Sequence, residues 1–150
     1  MRLTLASITT RRPPPGDPAE ALAQDYLART QRLCPAELVA FPAESALLAY
    51  ADRTPTRPAA ALLLFDSRGE LATSEQFAAH LSRLRDDSTP RLLFGIGPAD
   101  GWSPAALARA TRTFSLGRVT LPHMLARAVA AEQIYRAFTI LAGHPYHSGH

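Results

Sequence analysis

The chain has 150 residues, 47% of them hydrophobic and 19% charged, and a formal net charge of +3. Its one cysteine, Cys34, excludes a disulfide within the chain and points to a reducing compartment. The opening run MRLTLASITTRRPPPG lacks the apolar core of a secretory signal, and no run reaches the roughly 18 apolar residues that span a bilayer, so the expectation is one domain over 1–150, cytoplasmic and without a membrane segment.

All sixteen basic residues are arginine, and their distribution is uneven. Residues 1–100 carry eleven Arg against twelve Asp and Glu, a balance of −1; residues 101–150 carry five Arg against one Glu, a balance of +4. That is a weak bias toward anionic partners in the last third.

Taken in chain order, RLTLASI (2–8) sets Leu3 and Leu5 against polar neighbours and predicts a strand. RRPPPGDP breaks it. Asp17 caps the next helix, Pro18 suits its first position, and Glu20 completes a capping box before AEALAQDYLARTQRL. ELVAF (37–41) predicts a second short strand, and PAESALLAYADRTPTRP a short helix followed by a proline-punctuated loop. AAALLLF (59–65) is a continuous apolar run ended by Asp66 and the turn DSRG, the pattern of a strand buried on both faces. Thr73 and Gln76 form a capping signature, and Phe77, Leu81 and Leu84 give the stripe of the helix behind it. RLLFGI (91–96) predicts another buried strand. Ser103-Pro104 opens a helix through Ala110, RVTL (118–121) predicts a last short strand, and a long helix fills 123–142. Strands and helices alternating on short connections mean an α/β fold, a mostly parallel sheet with helices on both faces.

On the last helix Ala131, Ile134, Tyr135, Phe138 and Leu141 share one broad apolar face, while Leu125, Val129 and Ile140 fall nearly opposite. A helix apolar most of the way round is either central or packs on a second protein surface. Glu132 and Arg136 lie four apart on it, either as a solvated ion pair or as a partly buried one, or with the arginine held for an anionic ligand.

Ligands of open α/β sheets sit beyond the carboxyl ends of the strands, here LLLFDSRG, LLFGIGPADG and GRVTLPH. GIGPADG matches neither a dinucleotide fingerprint nor a P-loop. Gly97 in it reads either as a turn that lets strand and helix pack or as a bare backbone that a flat ligand approaches. The five histidines, His80, His123, His144, His147 and His150, occur without CxxC or HExxH spacing, so no metal site is expected. Cys34 has no histidine near it in sequence and reads as an ordinary buried thiol.

Three segments together carry a resemblance: LFGIGPADGWSP, SLGRVTLPHMLARAVAAEQIYRAF and ILAGHPYHSGH. The combination TLPH, EQIYRA and HPYH resembles the RlmH family of SPOUT-class methyltransferases, and LFDSRG matches that family's Leu-Asp-x-x-G turn. The first fifty-odd residues resemble it only in strand–helix–strand order. The resemblance implies a C-terminal deep trefoil knot that binds S-adenosylmethionine mostly through backbone groups. Carried over, the cofactor-binding positions are Phe65, Gly97, and Gly117, Arg118, Val119, Thr120, Leu121 and Pro122. It implies a homodimer through helix 123–142, and methyl transfer to N3 of a pseudouridine in 23S rRNA of the assembled ribosome. Arg136, Tyr146 and His147 would hold the base and its phosphates, with His147 the candidate proton acceptor.

The chain departs from the family's pattern in three places, one of them the loop after the second strand, usually longer and often basic, which is short here and holds only Arg53 and Arg57. Pro98 stands where a second glycine is usual, removing a backbone donor, and Ser148 stands where a basic residue usually follows Tyr-His. These departures open a second reading, a paralogue that keeps the fold and binds RNA or the ribosome without turnover.

Overall fold

The computed structural model describes residues 1–148; His150 lies outside them. The elements are β1 (Arg2–Ile8), α1 (Pro18–Thr30), β2 (Ala36–Phe41), α2 (Glu44–Ala51), β3 (Ala61–Glu70), α3 (Ser74–Asp86), β4 (Arg91–Ile96), α4 (Pro104–Arg109), β5 (Arg112–Phe114) and α5 (His123–Leu141), then a 3-10 turn at Pro145–His147. The strands form one sheet in the order β2-β1-β4-β3-β5, and every pairing is parallel. No helix among the described residues is long and apolar enough to cross a membrane.

The apolar runs read as doubly buried strands are doubly buried. Leu63, Leu92, Phe94 and Ile96 point to one face, which α1, α3 and α5 cover; Leu62, Leu64 and Leu93 point to the other, which α2 and α4 cover. Leu62, Leu63 and Leu64 are essentially sealed from solvent, and each contributes roughly 2 kcal/mol of burial.

The helix starts follow the capping chemistry. Asp17 accepts from the Glu20 backbone N–H at 2.8 Å and Pro18 occupies the first helical position. Glu20 does not close the box: its carboxylate turns to Gln24 and Arg127 instead. At α3 both halves of the box form, Gln76 N–H to Thr73 Oγ1 at 3.2 Å and Thr73 N–H to Gln76 Oε1 at 2.9 Å.

The last strand is displaced from its expected place. RVTL (118–121) is irregular, and the strand is RTF (112–114), which pairs with Leu63–Phe65 of β3. Once those positions are taken, the edge of β3 offers no further partner to a second segment. Ser115 N–H closes on the Glu70 carbonyl, and Gly117, at φ +130°, turns the chain away from the sheet edge, a conformation that favours glycine. Residues 118–120 are left exposed. β3 is also longer than expected: beyond Phe65 the register with β5 shifts, and Glu70 comes back to pair with Phe114.

The near all-round apolarity of α5 is accounted for largely within the chain. The helix packs against both α1 and α3 and buries nine residues, among them Ala130, Ala131, Ile134, Ala137 and Phe138. The remaining strip holds Leu125, Val129, Glu132, Arg136 and Ile140, and Leu125 is 43% exposed.

Candidate functional site

A cleft of about 530 Å³ opens at the carboxyl ends of β3 and β4, between residues 65–68, 96–102 and 116–126. Its size suits a cofactor-sized ligand. Of the positions expected to bind cofactor, Phe65 and Gly97 line it at the strand ends, and Gly117, Val119, Thr120, Leu121 and Pro122 line it from the loop before α5. Arg118 does not line it. Its guanidinium reaches across to donate to the Ser67 carbonyl, tying the loop to the turn after β3.

Gly97 is bare for a reason the sequence did not disclose. A Cβ there would lie 2.9 Å from Trp102 Cε2 and 3.0 Å from its Nε1, and Gly95 is bounded by the same indole. The ring is 6% exposed and its N–H donates to the Phe65 carbonyl at 2.9 Å. The space above Gly97 therefore belongs to Trp102, which locks the end of β4 to the end of β3, and Gly97 meets the cleft only through its backbone. Of the two readings of this glycine, the packing one describes its missing Cβ.

Titratable groups missed in the sequence also line the cleft, among them Asp66 and His123. Asp66 accepts from the Arg68 backbone N–H at 2.8 Å and from its guanidinium at 3.1 Å on each carboxylate oxygen. The Arg68 guanidinium holds the Asp66 carboxyl below the usual range. His123 begins α5 at the cleft wall, and its Nε2 is buried with no partner among the described residues. Burial first, and Arg127 one turn along, push its imidazole below the ordinary value.

The three residues expected to hold substrate converge in a second cluster. Arg136 Nε and Nη2 donate to Glu132 Oε1 at 3.0 and 2.7 Å, and the Tyr146 hydroxyl donates to the same oxygen at 3.0 Å. The pair Glu132–Arg136 is thus the partly buried one of the alternatives, each side chain 17% exposed. Tyr146 packs edge-on against Tyr135 with centroids 4.8 Å apart, and its hydroxyl lies 3.2 Å from that of Tyr26. Burial, then Tyr26 and Glu132, push the Tyr146 phenol well above its ordinary value. His147 sits between Arg136 Nη1, 3.3 Å from Nδ1, and Glu75 Oε1, 2.8 Å from Nε2. An arginine only donates, so Nδ1 is the acceptor and the ring proton lies on Nε2 toward Glu75. Both ring nitrogens are therefore engaged, and His147 has no free lone pair to take a proton in this arrangement.

Ten residues of α5 separate Ala126, at the cleft, from Arg136, which is about 15 Å along the helix axis. Cleft and tail cluster are neighbouring features of one helix rather than one pocket.

Folding also redistributes the charge bias of the last third. Arg109 pairs with Asp52, Arg112 with Glu70, Arg127 with Glu20 and Arg136 with Glu132, all at 2.7 or 2.8 Å. Three of those carboxylates come from the first hundred residues, so the +4 of residues 101–150 does not become a +4 surface. Arg118 is the one of the five without an ion-pair partner among the described residues. The tail histidines likewise have separate tasks. His144 Nδ1 accepts from Tyr146 N–H at 3.1 Å, capping the 3-10 turn, and among the described residues no three His, Cys, Asp or Glu side chains are grouped to hold a metal ion.

Residues 1–147 match the family described as "Predicted SPOUT methyltransferase". The chain is 47% identical over 131 residues to ribosomal RNA large subunit methyltransferase H of Koribacter versatilis, spanning 87% of this chain and 89% of that one. It is 53% identical over 88 residues to the protein of the same name from Brucella ovis, spanning 59% of this chain and 52% of that one. Among solved structures it is similar to the SpoU methyltransferase AviRb of Streptomyces viridochromogenes in complex with AdoMet, at 17% identity and a TM-score of 0.46, over 95% of this chain and 58% of that one. The match over nearly the whole chain, together with an all-parallel sheet that carries a cleft at its strand ends, makes this chain a member of the SPOUT methyltransferase family, in the group of ribosomal RNA large subunit methyltransferase H.

Proposed function

We propose that this chain is an S-adenosylmethionine-dependent methyltransferase acting on N3 of a pseudouridine in 23S rRNA of the assembled ribosome, as a homodimer in the cytoplasm. The observation that carries the reading is the cleft itself, built from the ends of β3 and β4 and the loop 116–122, in a chain of this family. The name shared by the relatives supplies the class of substrate, large-subunit ribosomal RNA.

The lining fits S-adenosylmethionine. Ile96, Leu116 and Leu121 offer apolar walls for a purine, and the backbone at Gly97 and at 117–122 offers the donors and acceptors to fix it. Asp100 adds a carboxylate at the rim, where a cationic ligand gains from it. When bound, the cofactor supplies a methyl group already activated on a sulfonium. What remains for the chain is orientation, which by itself provides much of the barrier reduction in a two-reactant step. Trp102 and Phe65 hold the strand ends rigid. Arg136, aimed by Glu132, presents a guanidinium that suits a phosphate or a base edge. His147 becomes a proton acceptor only when its Nδ1 is released from Arg136.

The knotted path belongs to this reading. Its support is the course of residues 115–122, which leave the edge strand β5, bond to Ser67 and Glu70 of β3 through Ser115 and Arg118, and lead into α5, which packs against both α1 and α3. The dimer is supported by the half-exposed strip of Leu125, Val129 and Ile140, and by Val119, which is 68% exposed on the preceding loop.

The deciding experiment is a calorimetric titration with S-adenosylmethionine, followed by methyl transfer to ribosomes from a methylation-deficient strain. Binding and transfer are expected. No detectable binding would overturn the enzyme reading and leave the non-catalytic RNA-binding one, for which Pro98, lining the cleft, is the observation.

A further inference from the structure

We propose that Glu132 is the positioning residue of the tail: its carboxylate aims the Arg136 guanidinium and, with the Tyr26 hydroxyl, fixes Tyr146, so that the substrate-holding groups are preset before RNA arrives. The inference rests on the proposed reading of Arg136 and Tyr146 as substrate-holding residues.

The argument begins with a count of donors. Arg136 Nε and Nη2 and the Tyr146 hydroxyl all converge on Oε1 of Glu132, and Gln133 Nε2 donates to Oε2. A carboxylate offers about four lone-pair sites, so this one is nearly saturated by its own chain and is not available as a ligand or a base. Its place explains its chemistry. Glu132 is the only acidic residue in 101–150, on a helix otherwise apolar most of the way round, and it is 17% exposed. A half-buried carboxylate of this kind persists where its hydrogen bonds repay its desolvation, and here they run to two residues of the tail cluster.

Tyr26 completes the arrangement from α1. The Tyr146 hydroxyl lies 3.0 Å from Glu132 Oε1 and 3.2 Å from the Tyr26 hydroxyl, and its single proton is shared between these two acceptors. Tyr26 is 120 positions away in sequence and packs at a tilt against Tyr135 with centroids 5.8 Å apart, so the tail's aromatic anchor is held by two helices. The Arg136 guanidinium lies 5.0 Å over the Tyr146 ring, so moving either partner disturbs the other. The groups facing Tyr146 are thus Glu132, Arg136, Tyr26 and Tyr135.

The test uses the full chain carrying Glu132→Gln or Tyr26→Phe, with three measurements: S-adenosylmethionine affinity by calorimetry, kcat and KM for ribosomes, and an alkaline absorbance titration of the four tyrosines. E132Q is expected to leave cofactor affinity within about twofold and to lower kcat by about 10- to 100-fold, the scale of a misplaced positioning group. Y26F is expected to lower kcat by about threefold to tenfold for the same reason. In the titration, the late-ionising tyrosine of the unmodified chain is expected to move down toward the others in E132Q. Unchanged kcat in E132Q overturns the proposal. So does parallel loss of cofactor affinity, thermal stability and kcat, which would mark Glu132 as part of the core alone. If the unmodified chain binds cofactor and transfers nothing, the substrate reading fails. The tyrosine titration still decides the inference: a downward move in E132Q supports it, and an unmoved profile overturns it.

Discussion

The indole N–H of Trp102 donates to the carbonyl oxygen of Phe65 across 2.9 Å, with Gly97 lying directly against the same ring. The end of one buried strand is thereby fastened to the end of its neighbour, at the floor of the cleft. Gly97→Ala must push the indole aside, because its Cβ would meet ring atoms at 2.9 and 3.0 Å. The expected cost is about 1–3 kcal/mol, read from urea unfolding, with a shift in the emission of the single tryptophan. Trp102→Phe is expected to cost about 1 kcal/mol beyond the lost packing, from the unmade hydrogen bond. The two changes touch one site, so G97A should cost less in the W102F background, where the smaller ring leaves room; strictly additive effects would contradict the contact.

Deleting residues 144–150 removes the 3-10 turn and its contacts to Glu132, Tyr135 and Arg136 of α5. Because Tyr146 and His147 bond to Glu132, Arg136, Tyr26 and Glu75 and none of these lines the cleft, cofactor binding should survive. Methyl transfer to ribosomes should fall by at least about 100-fold. Equal loss of both in calorimetry and transfer assays would mean that the tail closes the cleft.

The contact between Glu75 and His147 carries a pH signature. The Glu75 backbone N–H, then His147 and Thr73, hold the Glu75 carboxyl down at about 2. A carboxyl whose folded value lies below the unfolded one, about 4.3, stabilises the fold above that unfolded value, and the contribution is lost as pH falls toward 2. Glu75→Gln should therefore flatten the acid limb of stability against pH between about 5 and 2, measured as urea midpoints. An unchanged limb would show that neither the backbone N–H nor His147 holds this carboxylate down in the fold.

Arg127 is 4% exposed and meets Glu20 at 2.8 Å, joining α5 to the first turn of α1. Arg127→Met should destabilise by about 3 kcal/mol, because it leaves a partly buried carboxylate without its cation. Adding Glu20→Gln should recover part of that loss. A double variant no more stable than R127M alone would place the cost in packing rather than in charge.

The strand core was readable because burial on both faces forces continuous apolar runs, and LLLF and RLLFGI have few other uses. Helix starts were readable because a cap is local chemistry, as at Thr73 and Gln76. The misplaced last strand shows where that logic ends. RVTL alternates as a strand does, whereas RTF has only three residues; what separates them is which segment reaches the free edge of β3, a fact of tertiary structure. The cleft was legible in outline through the strand ends and the loop before α5. Trp102 was not, because nothing local says that an indole five residues on will fill the space over Gly97. The tail cluster was half legible: Arg136, Tyr146 and His147 come together, but their holders Tyr26 and Glu75 lie on α1 and α3. No periodicity links residues 26 and 146.

The packing of α5 on α1 has a consequence for biosynthesis. During translation all five strands emerge before the helix that covers one face of the sheet, and α5 closes over Leu27, Phe94 and their neighbours only after residue 141 has been made. Until then the part of that apolar face not covered by α1 and α3 is open to solvent and to other nascent chains. The contacts that seal it are among the longest in sequence, a topology that folds slowly. Expression yield should therefore depend on chaperone supply, and a fragment ending before His123 should aggregate rather than fold.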